Sequence, residues 1–127
     1  MAAAAGARTP EELETLLEDA FVLHDHQALA QLFQEGAILV AGGLPEARGH
    51  RQIARVAAQL WDLDRSYLAD PRRVLQVHDT ALVLAGHAIN VGRRGTDGFW
   101  QYAISLLDLE TCEGNVGMAA KPQTGFL

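Results

Sequence analysis

The sequence predicts an α+β domain in which three N-terminal helices precede a run of antiparallel strands. Two observations carry this: apolar residues recur at helical spacing three times up to Trp61, and after Arg72 the pattern turns to apolar strand-like runs broken by turn residues. A third sets the scale, since 127 residues of which 49% are apolar suffice for one core and one domain.

The opening MAAAAGAR is small and apolar but lacks the basic and leucine-rich regions of a secretory leader, so residues 1–8 are read as a disordered terminus and 9–127 as a single domain. The first helix starts in TPEELETLLEDAFVL. Thr9 is its N-cap, Pro10 occupies the first helical position, and Glu12 stands where its side chain reaches back to complete a capping box. Leu13, Leu16, Leu17, Ala20 and Phe21 form its apolar face, and Glu11, Glu14, Glu18 and Asp19 are expected on a solvated one.

The second helix fits Ala28, Leu29, Leu32 and Phe33, with Asp25 as N-cap and Gly36 as its stop. His24 and His26 flank that cap. On a helix they diverge by about 200°, so they share no metal without a further ligand, and they are read as histidines beside a cap. AILVA, residues 37–41, is a short strand ended by GGLP. GHRQIARVAAQLW then carries Ile53, Val56, Ala57, Leu60 and Trp61 at helical spacing, and DLDRSYLADP is a polar connection that Pro71 keeps from being helical. The strands are RRVLQVH, TALVLAGHAINV, FWQYAISLLDL and NVGMAAK, separated by DT, GRRGTDG and EG.

Charge excludes one class of partner. Sixteen acids against ten bases give a net charge of −6, and no cluster of cations is present to neutralise phosphates, so nucleic acid is not expected. No stretch reaches the roughly 18–20 apolar residues of a membrane span, and no membrane partner is expected. Cys112 is the only cysteine, which rules out an intramolecular disulfide and a cysteine-based zinc site and fits a cytoplasmic setting. AGGLPEARGH has neither Walker nor dinucleotide spacing, so no cofactor is implied.

The order of elements, with DHQALAQLFQEGAILV, GHRQIARV, VHDTALVLAG and YAISLL, resembles the nuclear transport factor 2-like superfamily, which includes SnoaL-like cyclases and ketosteroid isomerase. The resemblance runs over roughly residues 10–120. It implies a cone-shaped roll whose curved sheet and helices enclose a pocket, used by isomerases, cyclases and dehydratases and also by members that only bind or assemble. Ketosteroid isomerase works with an aspartate base, a tyrosine and a protonated aspartic acid. Carried onto this chain, the base falls at Ala41, the tyrosine near Leu17 and the acid near Ser105, so that set is missing. The family's late tryptophan is replaced by Val116, and Lys121 stands in the last stretch where an acid is usual.

The candidates for chemistry are therefore the polar residues inside strands. His87 is the candidate base, although strand parity leaves its direction open and a structural or interface histidine is the commoner outcome. Alternation puts Phe99, Gln101, Ala103, Ser105 and Leu107 on one face of the last central strand and Trp100, Tyr102, Ile104 and Leu106 on the other. The resemblance turns the first face toward the pocket, so Gln101 and Ser105 line it, with Trp61 as a roof that can stack on a flat ligand. The aromatic second face then lies outside and is expected to be covered by a homodimer or by the C-terminal segment. Asp79, Asp97 and Asp108 read as turn and strand-end residues, and Ser105 lacks the G-x-S-x-G elbow of a hydrolase nucleophile. The expected protein takes a small hydrophobic or aromatic molecule in its pocket, with or without catalysis. The other reading is a non-catalytic dimerisation or scaffold module.

Overall fold

Thr9 opens helix α1 (Pro10–Leu23) by accepting a hydrogen bond from the Glu12 N–H at 3.0 Å. The Glu12 carboxylate reaches one residue beyond the cap and takes the Arg8 N–H at 2.7 Å. His24 closes the helix in a left-handed conformation, and its N–H returns to the Ala20 and Phe21 carbonyls. Asp25 accepts the Ala28 N–H at 3.0 Å and so caps α2 (His26–Gln31), as its position in the sequence demands. The computed structural model describes residues 6–109.

The remaining elements are β1 (Phe33–Ala41), β2 (Ala47–Arg48), α3 (Gly49–Asp62), β3 (Pro71–Val77), β4 (Thr80–Ala85), β5 (Ala88–Arg94) and β6 (Trp100–Leu107). They form one sheet in the order β2-β1-β6-β5-β4-β3, antiparallel everywhere except between β1 and β6. The three helices cover one face of it. Leu13, Leu17 and Phe21 of α1 and Ile53, Ala57 and Leu60 of α3 are buried in one core with Leu39 of β1 and Trp100 and Tyr102 of β6. Each such large apolar side chain contributes about 1.5–3 kcal/mol. The expected α+β class and helix order hold. Among the described residues no helix is long and apolar enough to cross a membrane.

Four local expectations are corrected. Gly6 to Arg8 are not frayed: Ala7 is fully buried and bridges Trp100, whose N–H donates to the Ala7 carbonyl at 2.8 Å. Gly36 does not stop α2. The helix ends at Gln31 because β6 takes the next carbonyl, the Tyr102 N–H donating to Leu32 at 2.8 Å, and Phe33 already pairs with Tyr102. Gly36, at φ +80°, instead lies where the β1–β6 register shifts between Phe33 and Ile38.

The stretch from Thr80 to Val91 is two strands and not one. Gly86 and His87 turn the chain between β4 and β5, and a Cβ on Gly86 would lie 2.7 Å from Asp70 Oδ2. The turn is held from outside the hairpin: the Gly86 N–H donates to the Asp70 carbonyl and the Asp108 N–H to that of His87.

The fourth correction concerns β6. Gly92 pairs with Tyr102 but Val91 pairs with Ile104, so Ala103 is an extra residue that reverses the alternation. Trp100 and Tyr102 before this bulge and Ser105 and Leu107 after it are all buried. The aromatic pair therefore faces the helices, and the outer patch from which a dimer was expected does not consist of it. The outer face is aliphatic. Leu75, Leu82, Val91, Ile104 and Ile38 lie in one cross-strand row, and Leu84, Ile89, Leu106 and Val40 in the next. The strand NVGMAAK, with Val116 and Lys121, and Cys112 lie outside the described residues.

Candidate functional site

Glu14 is the centre of the site. It stands in the stripe Pro10, Glu14, Leu17, Phe21, whose spacing of four, three and four places all four on the buried face of α1. It is 0% exposed, contrary to the solvated position expected for it, and no ion pair reaches it among the described residues.

Three donors surround its carboxylate. Tyr67, in the connection after α3, donates its hydroxyl to Oε1. Tyr102 of β6 donates to Oε2 at 2.6 Å, and the Asn90 amide of β5 donates to the same oxygen at 2.8 Å. Ser105 of β6 then donates to Asn90 Oδ1 at 2.6 Å, which fixes that amide with its NH2 toward the carboxylate. The bulge at Ala103 makes the set possible, since without it Tyr102 and Ser105 would lie on opposite faces. A further acid holds the connection in place: Glu18, one turn along α1, accepts the Ala69 N–H at 2.7 Å.

The electrostatics follow from burial. Removal from water, and next the charge of Glu14, push the Tyr67 phenol far above its ordinary value. Burial, the Glu14 charge and the neighbouring Tyr67 act in the same direction on Tyr102. Both hydroxyls therefore stay protonated at neutral pH and remain donors. A buried carboxylate without a cation costs several kcal/mol of desolvation, which its three charge-assisted hydrogen bonds offset. Chemically the group is a proton acceptor flanked by two weakly acidic donors and an oriented amide.

Of the residues selected from the sequence, only Ser105 belongs to this cluster, through Asn90. His87 is exposed at the β4–β5 turn, not in an apolar strand. Trp61 is half-buried, edge-on to Phe21 at 5.6 Å between ring centroids and stacked with His24 at 4.9 Å. Gln101 donates to the Gln31 carbonyl at 2.9 Å and lines a different concavity, between α1, α2 and the start of β6. Trp61, Gln101 and Ser105 thus do not share one wall. Among the described residues no three His, Cys, Asp or Glu side chains converge as metal ligands.

Sequence reasoning passed over Tyr67 and Asn90, set Glu14 on the solvated face of α1 and set Tyr102 on the outer face of the sheet. The signal for Glu14 was an acid within the apolar stripe of α1. Tyr67 had none beyond being the one aromatic residue in a polar connection.

Helices on one face of a six-stranded sheet with a parallel β1–β6 pair define the cystatin-like α+β class. Solved structures place the chain within it. A ketosteroid isomerase-like protein from Erwinia carotovora atroseptica is 21% identical over 78% of this chain and 92% of its own, with a TM-score of 0.68. A nuclear transport factor 2-like protein with a cystatin-like fold from Novosphingobium aromaticivorans is 20% identical over 83% and 80%, with a TM-score of 0.61. A candidate dehydratase of the nuclear transport factor 2-like family from Streptomyces avermitilis is 22% identical over 79% and 92%, with a TM-score of 0.60. At these identities the likeness establishes the fold alone, and the chain has the nuclear transport factor 2-like fold. No protein-family model and no curated protein matches the sequence.

Proposed function

We propose that this protein binds a compact hydrophobic or aromatic molecule carrying a carbonyl or hydroxyl, and moves a proton on it with Glu14. The observation that carries this is the convergence of Glu14, Tyr67, Tyr102, Asn90 and Ser105 from four separate parts of the chain at one interior point. A core of this size does not need a polar cluster at its centre for stability, because replacing such a set as a whole by well-packed apolar side chains of similar volume is often neutral or stabilising. Buried, perturbed ionisable groups are concentrated at functional sites.

The roles follow from the hydrogen bonds. Glu14 accepts a proton from the carbon beside the carbonyl, and as the negative charge passes to the enolate oxygen Tyr67 or Tyr102 turns its single O–H from the carboxylate to that oxygen, staying protonated. Asn90, oriented by Ser105, holds the carboxylate. This is isomerase- or dehydratase-type chemistry with donors at positions other than those the resemblance points to. His87 has no part in it, and Trp61 stands at the α1–α3 end, where it can contact a flat ligand. Substrate entry requires the connection carrying Tyr67 to open, since every group of the cluster is at most 2% exposed.

Incubating the protein in deuterated buffer with a panel of small aryl ketones tests this by NMR. Exchange of the α-protons above the buffer rate, abolished by Glu14→Gln, is the expected result. No exchange above background in the wild type refutes the catalytic reading.

One observation favours a second reading. The same complete burial describes a polar pin that holds α1 to the sheet in a non-catalytic module, and the two aliphatic rows on the outer face suit a homodimer. Native mass spectrometry showing a ligand-free dimer, together with no ketone exchange, is the result that selects it.

A further inference from the structure

The two oxygens of the Glu14 carboxylate are held by different parts of the fold. Oε2 takes its hydrogen bonds from Asn90 and Tyr102, on the adjacent strands β5 and β6 inside the sheet. Oε1 takes its bond from the hydroxyl of Tyr67, which stands on the irregular connection between α3 and β3. Displacing that connection therefore frees Oε1 and leaves the carboxylate anchored through Oε2.

The connection is fastened at its ends and lightly between them. At one end Asp64 takes a left-handed backbone at φ +59°, the Arg65 N–H donates to the Leu60 carbonyl at 2.9 Å and the Arg65 guanidinium to the Leu109 carbonyl at 2.7 Å. At the other the Asp70 carbonyl accepts the Gly86 N–H and the Asp70 carboxylate pairs with Arg72. Among the described residues, two hydrogen bonds join residues 66–69 to the rest of the molecule, that of Tyr67 to Glu14 and that of the Ala69 N–H to Glu18. Ser66 and Leu68 are exposed and Ala69 is half-buried, so Tyr67 is the one fully buried side chain of the four, its ring centroid 6.0 Å from that of Phe21. Few buried contacts and few backbone hydrogen bonds mark a segment that opens without unfolding of the rest.

We infer that residues 65–70 form a lid latched by Glu18, and that Tyr67 stands on Glu14 in the place of a ligand, which is a phenol presenting its hydroxyl to Oε1. The assignment rests on Glu14 being a ligand-binding centre, as proposed above. A carboxylate oxygen left in the core without a donor is costly, so whatever displaces Tyr67 has to bring an O–H of its own. The space vacated is that of a phenol beside Phe21, which sets the ring. Tyr102 then remains as the hydroxyl that meets an enolate oxygen. A ligand that binds only the open form has its affinity reduced by the fraction open, so weakening the latch tightens binding. Glu18 is thus a positioning residue, acting through the lid and touching no ligand.

Nitration of the full chain with tetranitromethane, mapped by mass spectrometry, reads the lid, since Tyr67 and Tyr102 are the only tyrosines and both are buried. Tyr67 is expected to react about ten-fold faster than Tyr102. Equal rates mean that global unfolding exposes both, and overturn the lid. Calorimetric titration with 4-ethylphenol and with 4-ethylanisole, which has no O–H to donate, reads the ligand's place. The phenol is expected to bind the wild type at least about ten-fold more tightly than the anisole does, and to bind Glu18→Ala about ten-fold more tightly again, although that variant melts at a slightly lower temperature. Glu18→Gln, which keeps an acceptor oxygen for the Ala69 N–H, is expected to bind the phenol as the wild type does. A Glu18 of purely structural role leaves the phenol affinity of Glu18→Ala unchanged. That result, an absence of phenol binding, or an anisole bound as tightly as the phenol each overturn the assignment of the ligand. Ketone exchange reports separately on proton transfer by Glu14. Its absence with phenol binding intact removes the catalytic reading and keeps the lid, whereas its presence without phenol binding removes the ligand assignment and keeps the catalytic reading.

Discussion

Both tyrosines of the chain donate to Glu14, which makes the interior cluster visible to an alkaline titration. The perturbation is pH alone. In the unfolded chain each phenol ionises near its ordinary value of 10.0, while in the folded protein burial and the Glu14 charge hold both far higher. With the folded value raised, the associated stability is present in full below pH 10 and is lost as pH rises beyond it. Each phenol that ionises only on unfolding withdraws about 1.4 kcal/mol per pH unit above its ordinary value, so the pair removes about 3 kcal/mol by pH 11. That is a large part of the roughly 5–15 kcal/mol that holds a domain of this kind. The assay follows tyrosinate absorbance and far-ultraviolet circular dichroism on the same samples. The expected record is a single step in which both tyrosinates appear together with loss of secondary structure, at higher pH than the titration in urea. Two independent ionisations near pH 10 with the dichroism unchanged would refute the placement of both hydroxyls against Glu14.

Other outcomes follow from the same contacts. Glu14→Leu removes a buried charge but leaves two hydroxyls and an amide N–H without an acceptor, and it should lower stability by about 3 kcal/mol. Glu14→Gln, which keeps one acceptor oxygen, should cost about 1–2, both read from urea midpoints at constant slope. Asp25→Ala should cost about 1 kcal/mol through loss of the α2 cap, and Asp25→Asn close to nothing, by thermal unfolding. Ile104, 40% exposed in the longer aliphatic row, should abolish a homodimer when changed to Lys, seen as a halved mass in sedimentation with an unchanged melting temperature. A wild type already monomeric at micromolar concentration excludes that interface.

The candidate site was far less legible than the fold, for reasons visible in single residues. Thr9 and Asp25 announce helix starts because capping involves neighbours three residues away, and such contacts are written in the local sequence. Gly86 was read as part of a continuous strand because the contacts that fix the turn come from Asp70 and Asp108. The part of β6 before Ala103 was assigned to the wrong face because the bulge there is set by pairing with β5, which alternation within one strand cannot register. That single extra residue moved Trp100 and Tyr102 from the expected outer face into the core.

The order of the helices, the N-caps of α1 and α2, the α+β class and the net charge of −6 are properties of the sequence, since they rest on periodicity, on contacts a few residues apart and on summed charge. The three buried donors around Glu14, the link of Asn90 to Ser105, and the separation of Gln101 from that cluster were decided by the tertiary structure. Hydrogen bonds spanning 53 to 88 residues form between groups that no local pattern relates. Only the sheet register and the packing of α1 across it bring them within bonding distance.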